Sequence, residues 1–233
     1  MSDHIVKSYD DDLNTVAAEV ARMGGLAEAQ VADAIGIIVK RDPHTAEQVV
    51  ARDTRLDELH ADIEDRAIRL IALRQPLAND LRRTVCAMKI AGELERCGDL
   101  AKNIAKRTLA LADAEPMMPL SRSIERMGKL VAGRLKDVLD AYTGGVLDKA
   151  VAVWSRDDEV DEHYNSLFRE LLTYMMGDPR TITPAAHLLF IAKNLERIGD
   201  HATNIAEFVH YELTGRNIEA ARPKTDALAP EHN

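Results

Sequence analysis

Apolar residues recur every three to four positions along most of the chain, the spacing of a helical stripe rather than the alternation of a strand. Six long amphipathic segments can be marked. The first runs from about Ser8 to Arg41, with Ser8 as N-cap and Asp10, Asp11 and Asp12 in its first turn, where the helix dipole favours negative charge. Asp42-Pro43 ends it, and Gly24-Gly25 inside it marks a weak point, read as a kink. The second runs from about Thr45 to Leu73 and stops before Gln75-Pro76; the third begins at Asn79 or Asp80 and reaches about Ala112. Pro116 and Pro119 then break the pattern. The fourth segment starts after Ser121, with Ser121 or Ser123 capping, and ends at Thr143-Gly144-Gly145. The fifth spans about Val146 to Met176, stopped by Gly177-Asp178-Pro179. The sixth opens with Thr183 as N-cap and Pro184 at the first helical position, and Thr214-Gly215 ends it. With no strand signal in either half, the expected fold class is all-α.

The pattern is also duplicated. Residues 93–105 read ELERCGDLAKNIA, and residues 194–206 read NLERIGDHATNIA. Glu95, Arg96, Gly98, Asp99 and Asn103 reappear as Glu196, Arg197, Gly199, Asp200 and Asn204. The match extends backwards: Met23-Gly24 corresponds to Met127-Gly128, and Arg52-Asp53 and Asp57-Glu58 to Arg156-Asp157 and Asp161-Glu162. Such internal similarity points to two three-helix units of common origin. The expected organisation is a first antiparallel three-helix bundle over 1–114, a linker over 115–120, a second bundle over 121–214, and a disordered tail over 215–233.

Composition agrees with helices, at 46% hydrophobic and only 4% aromatic. No apolar run is long enough to span a bilayer, and the first dozen residues lack the apolar core of a secretory signal. Cytoplasmic location is expected, with any membrane contact made through partners. Cys86 and Cys97 share a helix face about three turns apart (~16 Å), too far to bridge, so both are expected as packed thiols. With 39 acidic against 30 basic residues the net charge is −9, which disfavours nucleic acid and anionic lipid and favours cations or a basic partner.

The acidic residues are ordered. Glu95, Asp99 and Asn103 stack along one helix face, as do Glu196, Asp200 and Asn204. Opposite lie the apolar stripes of Ile90, Leu94, Cys97, Ala101 and Ile104, and of Ile191, Leu195, Ile198, Ala202, Ile205 and Val209. Taken alone, a charged outer face is a solvated face. The preceding helix of each half, however, carries its own pair, Asp53 and Asp57, then Asp157 and Asp161. In an antiparallel hairpin Asp57 and Glu95 both lie about 27 Å from the turn near Pro76, so acids from the two helices meet at one level. Carboxylates so placed repel unless a cation neutralises them, and an oxygen-only set suits hard cations better than zinc. Arg96 and Arg197 offer a competing explanation, plain salt bridges to the same acids.

Weaker candidates remain. Glu207 and His210 have the Glu-x-x-His spacing of di-iron bundles, but Lys106 stands where a first-half Glu would be needed. His60, His163, His187 and His201 are not repeated and have no evident partners. Asp80-Leu81-Arg82-Arg83 could present guanidinium groups to phosphate, although capping explains it more cheaply.

The paired Glu-x-x-x-Asp signatures, the Pro76, Asp80, Leu81, Arg82 helix opening and the six-helix repeat resemble the PhoU family of bacterial phosphate-uptake regulators over about residues 5–213. The resemblance implies two three-helix bundles side by side, often as a homodimer, with multinuclear iron, zinc, manganese or magnesium at the acidic motifs. The first cluster would use Asp53, Asp57, Glu95, Asp99 and Asn103; the second, Asp157, Asp161, Glu196, Asp200 and Asn204. It further implies a non-enzymatic negative regulator of phosphate uptake and starvation signalling, linking the ATPase subunit of a phosphate ABC importer to a PhoR-type sensor histidine kinase. Asp178-Pro179-Arg180-Thr181 departs from the family's Asp-Leu-Arg opening in the second half. Two rival readings are a metal-free helical scaffold for a basic partner and a di-metal carboxylate enzyme.

Overall fold

The computed structural model describes residues 2–220 and 222, with side chains from residue 11 onward. The chain runs α1 (Ser2–Lys40), α2 (Pro43–Arg74), α3 (Asn79–Leu109), α4 (Met118–Gly144), α5 (Leu147–Trp154), α6 (Asp158–Gly177), a 3-10 turn (Pro179–Thr181) and α7 (Ile182–Thr214). No strand occurs among the described residues, and no helix is long and apolar enough to cross a membrane. The tail expected to be disordered lies, apart from residues 215–220 and 222, outside the described residues.

Several helix starts differ from those read off the sequence. α1 begins at Ser2, so Ser8 lies inside it and caps nothing. Asp42 caps α2, its carboxylate accepting from the N–H groups of His44 at 3.2 Å and Thr45 at 3.3 Å. α4 starts at Met118 with Pro119 in its first turn; Ser121 is buried within the helix, and neither it nor Ser123 caps. At α7 the chain enters through the 3-10 turn, whose first residues are held by Asp178 accepting from the Arg180 N–H at 3.0 Å, so Thr183 is already helical.

The expected fifth helix is divided. Between α5 and α6, residues 155–157 form a turn in which the N–H groups of Arg156 and Glu159 reach carbonyls three residues back rather than four. The buried guanidinium of Arg134 in α4 donates to the Asp157 carbonyl at 3.4 Å.

Two pairs of helices join the halves: α1 crosses α4, and α3 lies antiparallel to α7. A Cβ on Gly24 would stand 2.6 Å from Leu139 Cδ2, and one on Gly128 would stand 2.8 Å from Ile35 Cγ1. Gly24 and Gly128 are repeat equivalents, as are Ile35 and Leu139, so the crossing has pseudo-two-fold symmetry. Gly24 is therefore required for close approach, and α1 runs through Gly24-Gly25 without the expected interruption. At one end of the α3–α7 seam Arg83 pairs with Glu212 at 3.9 Å; at the other, Arg107 sits 4.0 Å over the Phe190 ring. The predicted inward stripes of both helices are buried in one continuous core, with Cys86 and Cys97 as free buried thiols. This leaves α2 and the α5–α6 arm outside, α2 laid against α1 and α3, and α5–α6 against α4 and α7.

Candidate functional site

The first acidic face forms where α2 lies along α3. Gly98 has no side chain where Leu56 Cδ1 presses on the α3 backbone, and a Cβ there would also stand 3.5 Å from Asp53 Oδ1. This close approach brings Asp53 under α3, where it is only 3% exposed. Lys102 donates to Asp53 Oδ2, and to Asp99 Oδ1 at 2.6 Å. The other oxygen of Asp53, Oδ1, is buried with no hydrogen-bond partner.

Asp57 and Glu95 complete the face. Burial, then the Asp53 and Asp99 charges, pushes the Asp57 carboxyl above its ordinary range. Burial, then Asp99 and Asp57, does the same to Glu95. These mutual effects are those of like charges crowded together. Hydrogen bonds to Asp53 and Asp99 raise the Lys102 ammonium in turn. The level-matching of Asp53, Asp57, Glu95 and Asp99 inferred from the hairpin is therefore present in the fold. Asn103, one turn beyond Asp99, also lines a cleft of about 350 Å³ with Lys106, Arg107, His187 and Asn194.

The second face is built differently. Asp157 lies in the turn between α5 and α6 and is again 3% exposed. It accepts from Thr203 Oγ1 at 2.7 Å and from Arg222 Nε at 2.6 Å. Arg222 Nη2 also donates to Asp200 Oδ1 at 2.8 Å, and Nη1 to Asn204 Oδ1 at 3.1 Å. Burial opposes the Arg222 charge, but the bonds to Asp157 outweigh it and raise the guanidinium above its usual range. Glu196 is raised by burial, with Asp200 and Asp161 adding to the effect and Lys193, 2.7 Å away, opposing it.

Arg96 and Arg197, the sequence's competitors for these acids, make no ion pair among the described residues. Lys102 and Arg222 take that role instead. Among the described residues no group of three His, Cys, Asp or Glu side chains is gathered to hold a metal ion. The donor chemistry nonetheless fits a hard cation, because the facing atoms are carboxylate oxygens and one of them, Asp53 Oδ1, is buried without a partner.

A third feature escaped the sequence reading. Glu93 of α3 accepts from His201 Nδ1 at 2.6 Å and from Asn204 Nδ2 at 3.0 Å, both in α7. Burial alone would raise Glu93; these two bonds hold its carboxyl below the usual range. Since Asn204 also receives Arg222, a polar chain runs from the first half into the second face. Neither Glu93 nor His201 recurs in the other half, which holds Asn194 and Leu100 at those positions, so a search for repeated residues passes over both. Glu207 accepts from Trp154 Nε1 at 3.1 Å and His210 faces the Arg216 carbonyl at 2.9 Å, so the Glu-x-x-His spacing serves local packing. Arg82 donates to the Asn79 side chain within the first turn of α3, and the N-cap there, Ala78, has no side-chain cap, so the expected capping is not what this opening does.

Comparison with known proteins places this architecture. The PhoU domain model matches residues 20–108 and again 124–209. The phosphate-specific transport system accessory protein PhoU homolog of Caulobacter vibrioides strain NA1000 is 66% identical over 229 residues, 98% of this chain and 100% of that protein. The protein of the same description from Rhizobium meliloti is 48% identical, over 96% of this chain and 94% of its own length. Among solved structures, PhoU from Pseudomonas aeruginosa superimposes with a TM-score of 0.87 at 36% identity, over 89% of this chain and 100% of that one. The phosphate transport system regulatory protein PhoU from Streptococcus pneumoniae gives a TM-score of 0.83 at 28% identity, over 91% and 100%. With both halves matched by one domain model and near-complete coverage of these relatives, the chain belongs to the PhoU family.

Proposed function

We propose that the protein is an accessory regulator of phosphate-specific transport that holds phosphate uptake and starvation signalling down when phosphate is plentiful. In this reading it is a cytoplasmic, cation-binding adaptor between the ATPase subunit of a phosphate ABC importer and a PhoR-type sensor histidine kinase. The family membership supports the transport role. The adaptor role draws on one observation above all: both halves crowd carboxylates around a shared basic side chain, Lys102 between Asp53 and Asp99 in the first and Arg222 between Asp157 and Asp200 in the second.

Asp53, Asp57, Glu95, Asp99 and Asn103 would hold a cation in the first half, and Asp157, Asp161, Glu196, Asp200 and Asn204 in the second. A divalent or trivalent metal bound there supplies positive charge that Lys102 and Arg222 otherwise provide. The residues do the rest. Gly98 lets Asp53 reach α3, Thr203 orients Asp157, and the two acidic helices are kept at fixed spacing so that the outer surface presents one shape to a partner.

A second reading has its own support. Because Lys102 and Arg222 already sit among the acids, the faces could work without metal, taking basic side chains of a partner in their place. One experiment separates the two. Purified protein is analysed for iron, manganese, magnesium and zinc, then stripped with EDTA and tested for binding to the importer ATPase and to the kinase's cytoplasmic part. Binding that is lost on stripping and restored by one metal supports the cation-dependent adaptor. Undiminished binding by metal-free protein favours the scaffold, and no binding to either partner refutes the adaptor role.

A further inference from the structure

The two halves differ at the one position that decides how each acidic face is neutralised. Lys102 in α3 and Thr203 in α7 occupy equivalent places in the repeat. Lys102 carries an ammonium of its own between Asp53 and Asp99. Thr203 offers Asp157 a hydroxyl at 2.7 Å, which orients the carboxylate without cancelling its charge. Arg134, the other cation nearby, comes no closer than 4.0 Å to Asp157 Oδ1. A buried carboxylate left like this is costly unless a cation reaches it. A cation within hydrogen-bonding reach of the carboxylate comes instead from beyond the second half's three helices.

Arg222 is that cation. It lies beyond Gly215, the C-cap of α7, and its guanidinium returns to the face. Nε and Nη2 engage the two oxygens of Asp157 side-on at 2.6 and 3.2 Å. Nη2 also reaches Asp200 Oδ1 at 2.8 Å and the Asp200 carbonyl at 3.4 Å, while Nη1 reaches Asn204 Oδ1 at 3.1 Å. All three guanidinium nitrogens are engaged. The planar, forked donor set matches a carboxylate in a way an ammonium cannot.

We propose that the second face is a guanidinium pocket with Arg222 as its occupant, and that this latch makes the halves unequal towards any incoming cation. The first face is closed by its own Lys102. The second opens whenever the tail lets go, and then accepts a metal ion or an arginine of a partner. The proposal deepens the cation-binding reading and rests on it only for the identity of the competitor; the pocket and its occupant stand without metal.

The test uses the full chain and reads Arg222 directly through its Nε–H resonance in a proton–nitrogen spectrum. The docked guanidinium gives a resolved, exchange-protected peak. D157N, which keeps the size of the side chain and removes the charge, returns that peak to the free-arginine position. T203K, which gives the second half the first half's arrangement, does the same, with a thermal melt to check folding because Thr203 is buried. An Arg222 peak already at the free position in the parent protein overturns the proposal, as does a folded T203K or D157N protein in which the peak stays docked.

Manganese titration by calorimetry then addresses the competitor. A latch docked about nine-tenths of the time weakens an entering ion about tenfold, so R222Q binds manganese about tenfold more tightly than the parent. K102T produces the same gain in the first half. A docked Arg222 together with no manganese binding by R222Q or K102T supports the pocket and refutes the metal reading, so the two failures are told apart.

Discussion

The repeated glycines of the two acidic helices should respond in opposite ways to the same substitution. Gly98 and Gly199 are equivalent in sequence and both lie mid-helix, where alanine is favoured over glycine by about 1 kcal/mol. In α7 that gain is available, because a Cβ on Gly199 would meet Val160 Cγ1 at 3.5 Å, an ordinary contact. In α3 the new methyl would run into Leu56 Cδ1, which is itself 1% exposed in the core and has nowhere to swing. Overpacking of this kind costs about 1–3 kcal/mol, so G98A should end up about 0–2 kcal/mol less stable than the parent protein and G199A up to about 1 kcal/mol more stable. The difference between the variants, about 1–3 kcal/mol, is independent of most errors in either estimate. Urea denaturation with unchanged slope measures it. G98A should also raise the exposure of Asp53 by pushing α2 off α3. Equal midpoints for the two variants, or G98A the more stable, would refute the account of how α2 reaches α3.

Three further outcomes follow from the acidic faces. K102A leaves the buried Asp53 without its cation and should cost about 3 kcal/mol, while D53N added to it recovers most of that loss; denaturant midpoints of the single and double variants check the coupling. Asp57 and Glu95 have carboxyls raised in the folded state, so it binds their protons more tightly than the unfolded chain. The stabilisation they allow is present below the unfolded carboxyl range and is lost as pH rises through the raised folded values; in EDTA, a D57N/E95Q variant should therefore gain on the parent between acid and neutral pH, and parallel stability profiles would contradict this. Glu93 behaves in the reverse sense: held low by His201 and Asn204, it contributes stability above the unfolded carboxyl range that disappears as pH falls through its folded value. E93Q should thus lose most at neutral pH and little in acid, as thermal melts across that range would record.

What the sequence made legible follows from what periodicity can carry. The stripes of α3 and α7 are buried residue for residue as their spacing indicates, because a 3.6-residue period fixes a face whatever packs on it. Level-matching of Asp53 with Asp99 also survived, since an antiparallel hairpin has only one register for a given turn. Boundaries were less legible. Ser121 and Thr183 carry capping chemistry, yet each lies inside a helix that tertiary packing extends past it. Gly24-Gly25 was ambiguous in principle: a glycine pair weakens a helix in isolation, but the same missing side chain admits Leu139. The division between α5 and α6 has no proline or glycine to announce it.

Reading by recurrence has a further blind spot, and it falls on the residues that give each half its own behaviour. Repetition singled out Glu95, Asp99, Glu196 and Asp200, and also Arg96 and Arg197, which are equally repeated and make no ion pair with the faces among the described residues. The side chains that do so, Lys102 and Arg222, have no counterpart, and neither do Glu93 and His201, which join the halves. After duplication, shared positions keep the architecture that both copies need, while the charge on each face is set where the copies have diverged. A basic residue at 102 lies between the acids of one cluster; a hydroxyl at 203 leaves that place in the other to Arg222, from beyond α7. Under the latch proposed above, unequal halves of this sort would register a change in cation supply through one face while the other keeps the bundle intact, a division of labour that two identical copies could not provide.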